Sequence, residues 1–286
     1  MVQRTIALVT DSTCDIPEDL IQQYDITVVP QFVLWEGEAF RDRIDLTPQQ
    51  FYERLVTDPV YPSSAHPTPG DFFEVYQAAA AEGAEAIVVV AISSAMSGTF
   101  NVAKQAAEMV DVPVHVVDAK GPTMSLGWQV LAAARAREAG GDAEAMVAAA
   151  GKARASMVQF VYMDSLEYLR KGGRIGDAAQ WLGTLLQIKP VICINHDTGL
   201  VEPTTLTRTR KRALKVFYEG FFARLDLSKP LHLAVLHGGI LEEAQALAER
   251  VMREFSPVEL LINITGPVLG INTGPGALAL CGYTEG

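Results

Sequence analysis

Two stretches of six residues, TIALVT (5–10) and AIVVVA (86–91), are almost wholly apolar and do not alternate with polar positions. A strand with one face in water alternates, so an unbroken apolar run needs cover on both faces. That requirement belongs to a parallel sheet with helices packed on each side. VPVHVVD (112–118) is a third such run, and ITVVPQFVLW (26–35) a fourth, interrupted by Pro30, which cannot donate to a ladder.

Helical segments lie between these runs. Thr47-Pro48-Gln49-Gln50 pairs an N-cap threonine with a first-turn proline and a glutamine at the third position, a capping box. Thr68-Pro69-Gly70-Asp71 repeats the pattern with an acid in the first turn. The alanine-rich stretch 126–156, broken by Gly140-Gly141, reads as two successive helices. In the second half, 157–163, 191–195, 231–237 and 258–264 read as strands, and 175–187, 208–225 and 240–255 as helices. The last segment, GPVLGINTGPGALALCGY, reads as a Gly/Pro loop between extended pieces rather than a helix. The expected fold is α/β, with two α/β domains, 1–156 and 157–286, and a ligand cleft between them.

Of the 286 residues 49% are apolar and 20% charged, enough for a sizeable core and too few charges for a disordered chain. No apolar stretch approaches the roughly 20 residues of a membrane span. The start, MVQRTIALVTD, reads directly as a first strand rather than a signal peptide. Three cysteines, Cys14, Cys193 and Cys281, form no C-x-x-C pair, which points to a reducing cytoplasm. A net charge of −11 disfavours nucleic acid as a partner.

Chemistry concentrates at AISSAMSGTFN (91–101), where the apolar run hands over to a helix. Ser93, Ser94, Ser97 and Thr99 supply hydroxyls beside Gly98. A hydrolase elbow, G-x-S-x-G, is absent, and none of the five histidines offers an obvious base. Neither G-x-x-x-x-G-K-[ST] nor G-x-G-x-x-G occurs, and no His/Cys/Asp cluster has metal-ligand spacing. Asp11 and Asp15 alone make a weak cation site. A single carboxylate suits neutral hydroxyl donors at a strand's carboxyl end near a helix start. Capping of that helix would use one or two of the hydroxyls. Ser12 or Asp15 is expected to cap a helix beginning near Pro17.

Ordered motifs run nearly end to end: V-T-D-S-T-C-D-I-P (9–17), P-S-S-A-H-P-T-P-G-D-F (62–72), I-S-S-A-M-S-G-T-F (92–100), D-S-L-E-Y-L-R-K-G-G-R-I (164–175), K-P-V (189–191), R-T-R-K-R (208–212) and G-I-N-T-G-P-G (270–276). In these the chain resembles the DegV family of bacterial fatty-acid-binding proteins, which includes the acyl-binding subunits of fatty acid kinase. The resemblance implies one long-chain fatty acid buried between two α/β domains, with no further cofactor. It implies a carboxylate held by Ser93 or Ser94, with Ser97 nearby, together with Ser64 and Asn272. Ser93 is the preferred direct contact. Ala65 stands where many relatives have a serine, and Asn272 where many have a histidine. Asparagine donates a hydrogen bond but carries no charge. Arg170, Lys171, Arg174 and Arg208 match basic positions facing the open end of the head-group site. A separate kinase subunit is the implied protein partner. Phe72, Phe73, Trp181, Leu182 and Leu186 are apolar positions for the tail, though core packing explains any one of them better. Two rivals remain: a serine-dependent hydrolase or acyltransferase acting on a lipid-like substrate through Ser93 or Ser97, and a carrier for another amphipathic acid such as an isoprenoid.

Overall fold

The computed structural model describes residues 5–181 and 188–286. Strand β1 (Ile6–Asp11) runs into a 3-10 turn (Ser12–Cys14), α1 (Glu18–Gln23) and β2 (Ile26–Val29). A small excursion follows: β3 (Phe32–Trp35), β4 (Glu38–Arg41), α2 (Pro48–Thr57) and β5 (Ser63–Ala65). The chain then alternates as α3 (Pro69–Ala81), β6 (Ala86–Ala91), α4 (Thr99–Ala107) and β7 (Val114–Asp118), before the helical pair α5 (Met124–Glu138) and α6 (Ala143–Ala155). The second half runs β8 (Val158–Tyr162), α7 (Glu167–Gly172), a 3-10 segment (Gly176–Trp181), β9 (Lys189–Asn195), β10 (Leu200–Thr207), α8 (Arg210–Phe222), β11 (Leu231–His237), α9 (Leu241–Phe255), β12 (Glu259–Ile264), α10 (Pro267–Thr273) and β13 (Leu278–Thr284).

Strands β2-β1-β6-β7 form a four-stranded, all-parallel sheet. Its two central strands explain the unbroken apolar runs. Val9, Ile87 and Val89 face Phe72, Tyr76 and Ala103 on the α3/α4 side. Leu8, Val88 and Val90 face the opposite way, toward α5. The second sheet has six strands in the order β10-β9-β8-β13-β11-β12, antiparallel except for the parallel pair β11–β12. Its outer face packs Phe160, Leu233 and Leu280 against Phe217 and Phe221 of α8 and Val251 of α9.

The break between the large sheets falls between Ala155 and Val158, and besides the cluster on each outer face the sheets share one between them. One apolar cluster runs from Leu8 and Val88, through Trp128 and Leu131 of α5, to Val161, Ile192 and Ala279 of the six-stranded sheet. Trp128 is the rivet. It is fully buried, its Nε1 donates to the Cys281 carbonyl at 3.1 Å, and its ring meets Tyr283 and His232 edge-on. The third sheet, β4-β3-β5, crosses the boundary as well. With α2 it packs Val33, Trp35, Phe51 and Leu55 onto Val268 and Ile271 of α10.

Both threonine-led capping boxes are present, on α2 with Gln50 and on α3 with Asp71. The alanine-rich stretch divides at Gly140-Gly141 into α5 and α6. Four expectations change. The 26–35 run is two strands in two different sheets, because Pro30 ends β2 and the chain turns away. Helix α10 occupies 267–273, where a loop was expected. Pro267 takes its first position, and buried carboxylates accept from the backbone ahead of it: Asp15 from Gly266 N–H at 3.0 Å, Asp42 from Val268 N–H at 3.4 Å. Of the helix expected over 175–187, Gly176–Trp181 is 3-10, and 182–187, with Leu182 and Leu186, lies outside the described residues. Finally, α1 has no side-chain cap. Ser12 bonds Asp42 and Asp15 bonds Arg43, while Asp11 caps the 3-10 turn instead.

Replacing Trp128 with alanine empties space under both sheets at once. Trp128→Ala is expected to cost about 3–5 kcal/mol of unfolding free energy, measured by chemical denaturation, with the two halves still unfolding in one transition.

Candidate functional site

The parallel strands β1 and β6 end together, and Asp11 ties off their carboxyl ends. Fully buried, it accepts from Thr13 N–H at 3.0 Å, Gln31 Nε2 at 3.0 Å and Ile92 N–H at 2.8 Å. Burial raises its pKa, and these bonds work against the rise. Gln31 and Ile92, so fixed, form part of the wall of a cavity between the six-stranded sheet and the loops at the carboxyl ends of the four-stranded one.

The cavity encloses about 840 Å³ of empty space, mouth included. Its walls are mostly aliphatic: Val161, Ile192, Ile194, Val201, Leu236 and Ala279 from the six-stranded sheet, with Leu169 of α7 and Leu269 of α10. Among these apolar side chains stand Ser64, Ser97, Asn272, Thr273 and Arg174.

The hydroxyl-rich turn divides its serines between two jobs. Ser97 lines the cavity, and its Oγ shares a 2.8 Å bond with Thr99 Oγ1. Ser93, the residue expected to make the direct contact, is fully buried outside the cavity wall. Its Oγ donates to the Gly199 carbonyl at 2.8 Å and accepts from Ala95 N–H at 3.2 Å. Ser94 is engaged too: its N–H and Oγ both donate to Asp118. Burial works against the Asp118 charge, but the bonds from Ser94 and Lys120 outweigh it and hold its pKa below the usual range. In this geometry Ser93 and Ser94 brace the turn, and Ser97 lines the cavity. Of the expected carboxylate set, Ser64, Ser97 and Asn272 are in the lining, and Ser93 and Ser94 are not.

Ser64 reaches the cavity because β5 pairs with β3 at Val33. Asn272 arrives on α10. Its Nδ2 donates to the Val268 carbonyl at 3.1 Å, and its Oδ1 is buried with no partner among the described residues. Gly172 makes this approach possible, since a Cβ there would lie 2.0 Å from Asn272 Oδ1. Of the basic positions, only Arg174 lines the cavity. Its guanidinium spans the mouth, donating from Nη1 to the Gly172 carbonyl at 2.7 Å and from Nε to the Met96 carbonyl at 3.3 Å. Arg170 and Arg208 are exposed and outside the lining, and Lys171 pairs with Glu167 at 3.0 Å and lies over the Tyr61 ring. Phe72 and Phe73 pack in the α3/α4 core, away from the cavity.

The sequence reading did not single out Gln31, Thr123, Gln159, Thr265 or Thr273, all of which line the cavity. Gln159 carried a signal, as the lone polar residue in the buried strand VQFVY. Among the described residues, no group of three or more His, Cys, Asp or Glu is placed to hold a metal, and no helix is long and apolar enough to cross a membrane.

The floor under α10 is electrostatic. Arg43 pairs with buried Asp15 and donates to the Ile264 carbonyl at 3.0 Å, while Asp42 accepts from Ser12 Oγ at 2.7 Å. Burial pushes Asp42 up to about 7, against the pull of Arg43. A carboxyl whose folded pKa exceeds its ordinary 3.8 takes up protons on folding, so its contribution favours the fold at low pH and fades as pH rises. The unfolding free energy of the wild type minus that of Asp42→Asn should therefore fall between about pH 4 and pH 7 and level off above. Denaturant titrations across that range check it, and a difference that rises with pH would refute it.

Comparison with known proteins agrees with this architecture. The DegV family model matches residues 5–285. A DegV domain-containing protein of Streptomyces coelicolor is 36% identical over 282 residues, covering 98% of each chain. Among solved structures, a DegV family protein from Thermus thermophilus, described by its fatty acid binding, superposes with a TM-score of 0.90 at 33% identity, covering 98% of this chain and 99% of the other. A stearic acid-binding protein from Eubacterium ventriosum superposes at 0.89 with 27% identity, covering 98% of both. With a full-length family match, a relative above a third identical and the same fold throughout, the chain belongs to the DegV family.

Proposed function

We propose that the protein binds one long-chain fatty acid, tail in the aliphatic cavity and carboxyl group at the Ser64–Ser97–Asn272 end. The observation that carries this is the cavity itself: a mostly aliphatic space against the six-stranded sheet, whose lining also holds Ser64, Ser97, Asn272 and the single arginine, Arg174. The fatty acid binding of the Thermus relative and the stearic acid binding of the Eubacterium relative support it. A tail of about 14 methylenes at ~0.8 kcal/mol each contributes about 11 kcal/mol gross, from which association and ordering subtract several kcal/mol. Head-group bonds then set the register of the chain and keep a buried carboxyl group from going unpaired. Arg174 adds charge where the carboxylate meets solvent.

The protein acts as a carrier that presents the carboxyl group to a separate kinase subunit for acyl-phosphate formation. Arg170, Lys171, Arg174 and Arg208 are cations on a chain of net charge −11, and they suit an acyl phosphate or an acidic partner surface. The hydrolase reading has weaker support. Ser93 Oγ donates to a carbonyl and Ser97 Oγ bonds a threonine hydroxyl, and neither partner is a base.

Denaturing extraction of the purified protein followed by mass spectrometry should release about one fatty acid per chain. No bound acid, and no uptake on incubation, would overturn the proposal. Ser64→Ala with Ser97→Ala is expected to weaken binding roughly 100-fold, from two lost bonds to a charged group. Ser93→Ala should weaken it far less. The opposite order in calorimetric titrations would return the direct contact to Ser93.

A further inference from the structure

Two polar side chains stand in the cavity wall away from the proposed carboxyl seat, and neither has a partner. Gln159 is 2% exposed and its Oε1 is buried without a hydrogen bond among the described residues. Thr123 is 6% exposed and its Oγ1 is likewise buried and unbonded. Both line the cavity, one from each wall: Thr123 from the loop after β7, Gln159 from β8 of the six-stranded sheet.

Neither residue fits its place as a packing choice. Every other position of β8 is apolar or aromatic, and the neighbouring inward residue, Val161, is an ordinary cavity-wall aliphatic. Thr123 occupies the N-cap of α5, where a threonine oxygen normally accepts from the first turn of the helix, yet it makes no capping bond. Its backbone sits at φ 54°, ψ −141°, a conformation a β-branched residue rarely adopts, and it keeps the side chain in the cavity wall. Methylenes laid against these two groups would leave both unsatisfied, at a cost in affinity.

The depth of Gln159 follows from strand register. Tyr162 pairs with Leu278 at the end of β8 next to α7 and α10, which carry Leu169 and Asn272. Gln159, paired with Cys281, lies three residues further in, about 10 Å along the strand. A group bound there belongs to the middle of an acyl chain seated at the Asn272 end.

We infer that this cavity selects an oxygenated fatty acid, one carrying a hydroxyl in mid-chain, held by donation to Gln159 Oε1 and by acceptance from Thr123 Oγ1. The inference rests on the fatty acid reading above and narrows its ligand class. A hydroxyl fits both partners because it donates and accepts. A ketone only accepts, so it would leave Gln159 Oε1 unpaired and should bind more weakly than the alcohol.

The test is competition binding to the delipidated full-length protein, using stearic acid, its positional hydroxy isomers from carboxyl to methyl end, and the matching mid-chain keto acid. One mid-chain hydroxy isomer is expected to bind roughly tenfold tighter than stearic acid, with the keto acid between them. Thr123→Val and Gln159→Leu should each reverse that order, tightening stearic acid while weakening the hydroxy acid. A variant that only damaged the fold would lose both. If stearic acid binds and no hydroxy isomer exceeds it, the inference fails and the carrier reading stands. If neither stearic acid nor any hydroxy acid binds, both fall.

Discussion

Arg43 holds a junction on which the rest of the molecule depends. It reaches from the small antiparallel sheet region to Asp15 at the end of β1 and to the Ile264 carbonyl at the end of β12. Two carboxylates, Asp15 and Asp42, lie buried beside this one cation. Charges taken out of water need partners, and the partners here come from both halves of the chain. Gly266 N–H donates to Asp15, Val268 N–H to Asp42, and Asn263 Nδ2 to the Asp15 carbonyl. The same bonds that neutralise the acids fix the start of α10. That helix carries Val268, Leu269, Asn272 and Thr273 to the cavity wall, so this part of the wall is positioned by an electrostatic device lying beneath it.

A second dependence is geometric. The two large sheets share one apolar core, and the cavity is the part of that core left unfilled. Close packing elsewhere makes this space unusual, since protein interiors leave few gaps larger than a water molecule. Trp128 and Leu131, in the body of α5, fill their part of the core, and aliphatic side chains of β8, β9 and β13 line the space left open. Among the described residues, the polar part of the lining comes mostly from loops and short helices, with Ser64 on β5 and Gln159 on β8 as the strand-borne exceptions. Most of it therefore sits on connections held by a rigid scaffold.

Parts of this were readable in the chain. Runs such as AIVVVA required cover on both faces, and α3, α4 and α5 supply it. The Thr47 and Thr68 boxes set helix starts because capping is local chemistry. The turn at 93–99 was recognisable as a place where hydroxyls gather beyond a strand. Which hydroxyl lines the cavity was not readable, because Ser93 is claimed by the carbonyl of Gly199, more than a hundred residues away. Nor was α10, whose Gly- and Pro-rich residues are poor helix formers. Its first turn is held by Asp15 and Asp42, contacts that exist only after the chain has folded.

Sequence alone determined the class of the fold, the alternation of elements, the limits of the α5/α6 pair and the set of motifs that place the chain in its family. Those follow from periodicity, capping and short-range order, which act within a few residues. Tertiary structure decided the core shared by two sheets, the assignment of Ser97 rather than Ser93 to the cavity wall, and the unpartnered Thr123 and Gln159. Each depends on which groups meet across distant segments, and burial sets a cost on any polar atom that finds no partner there.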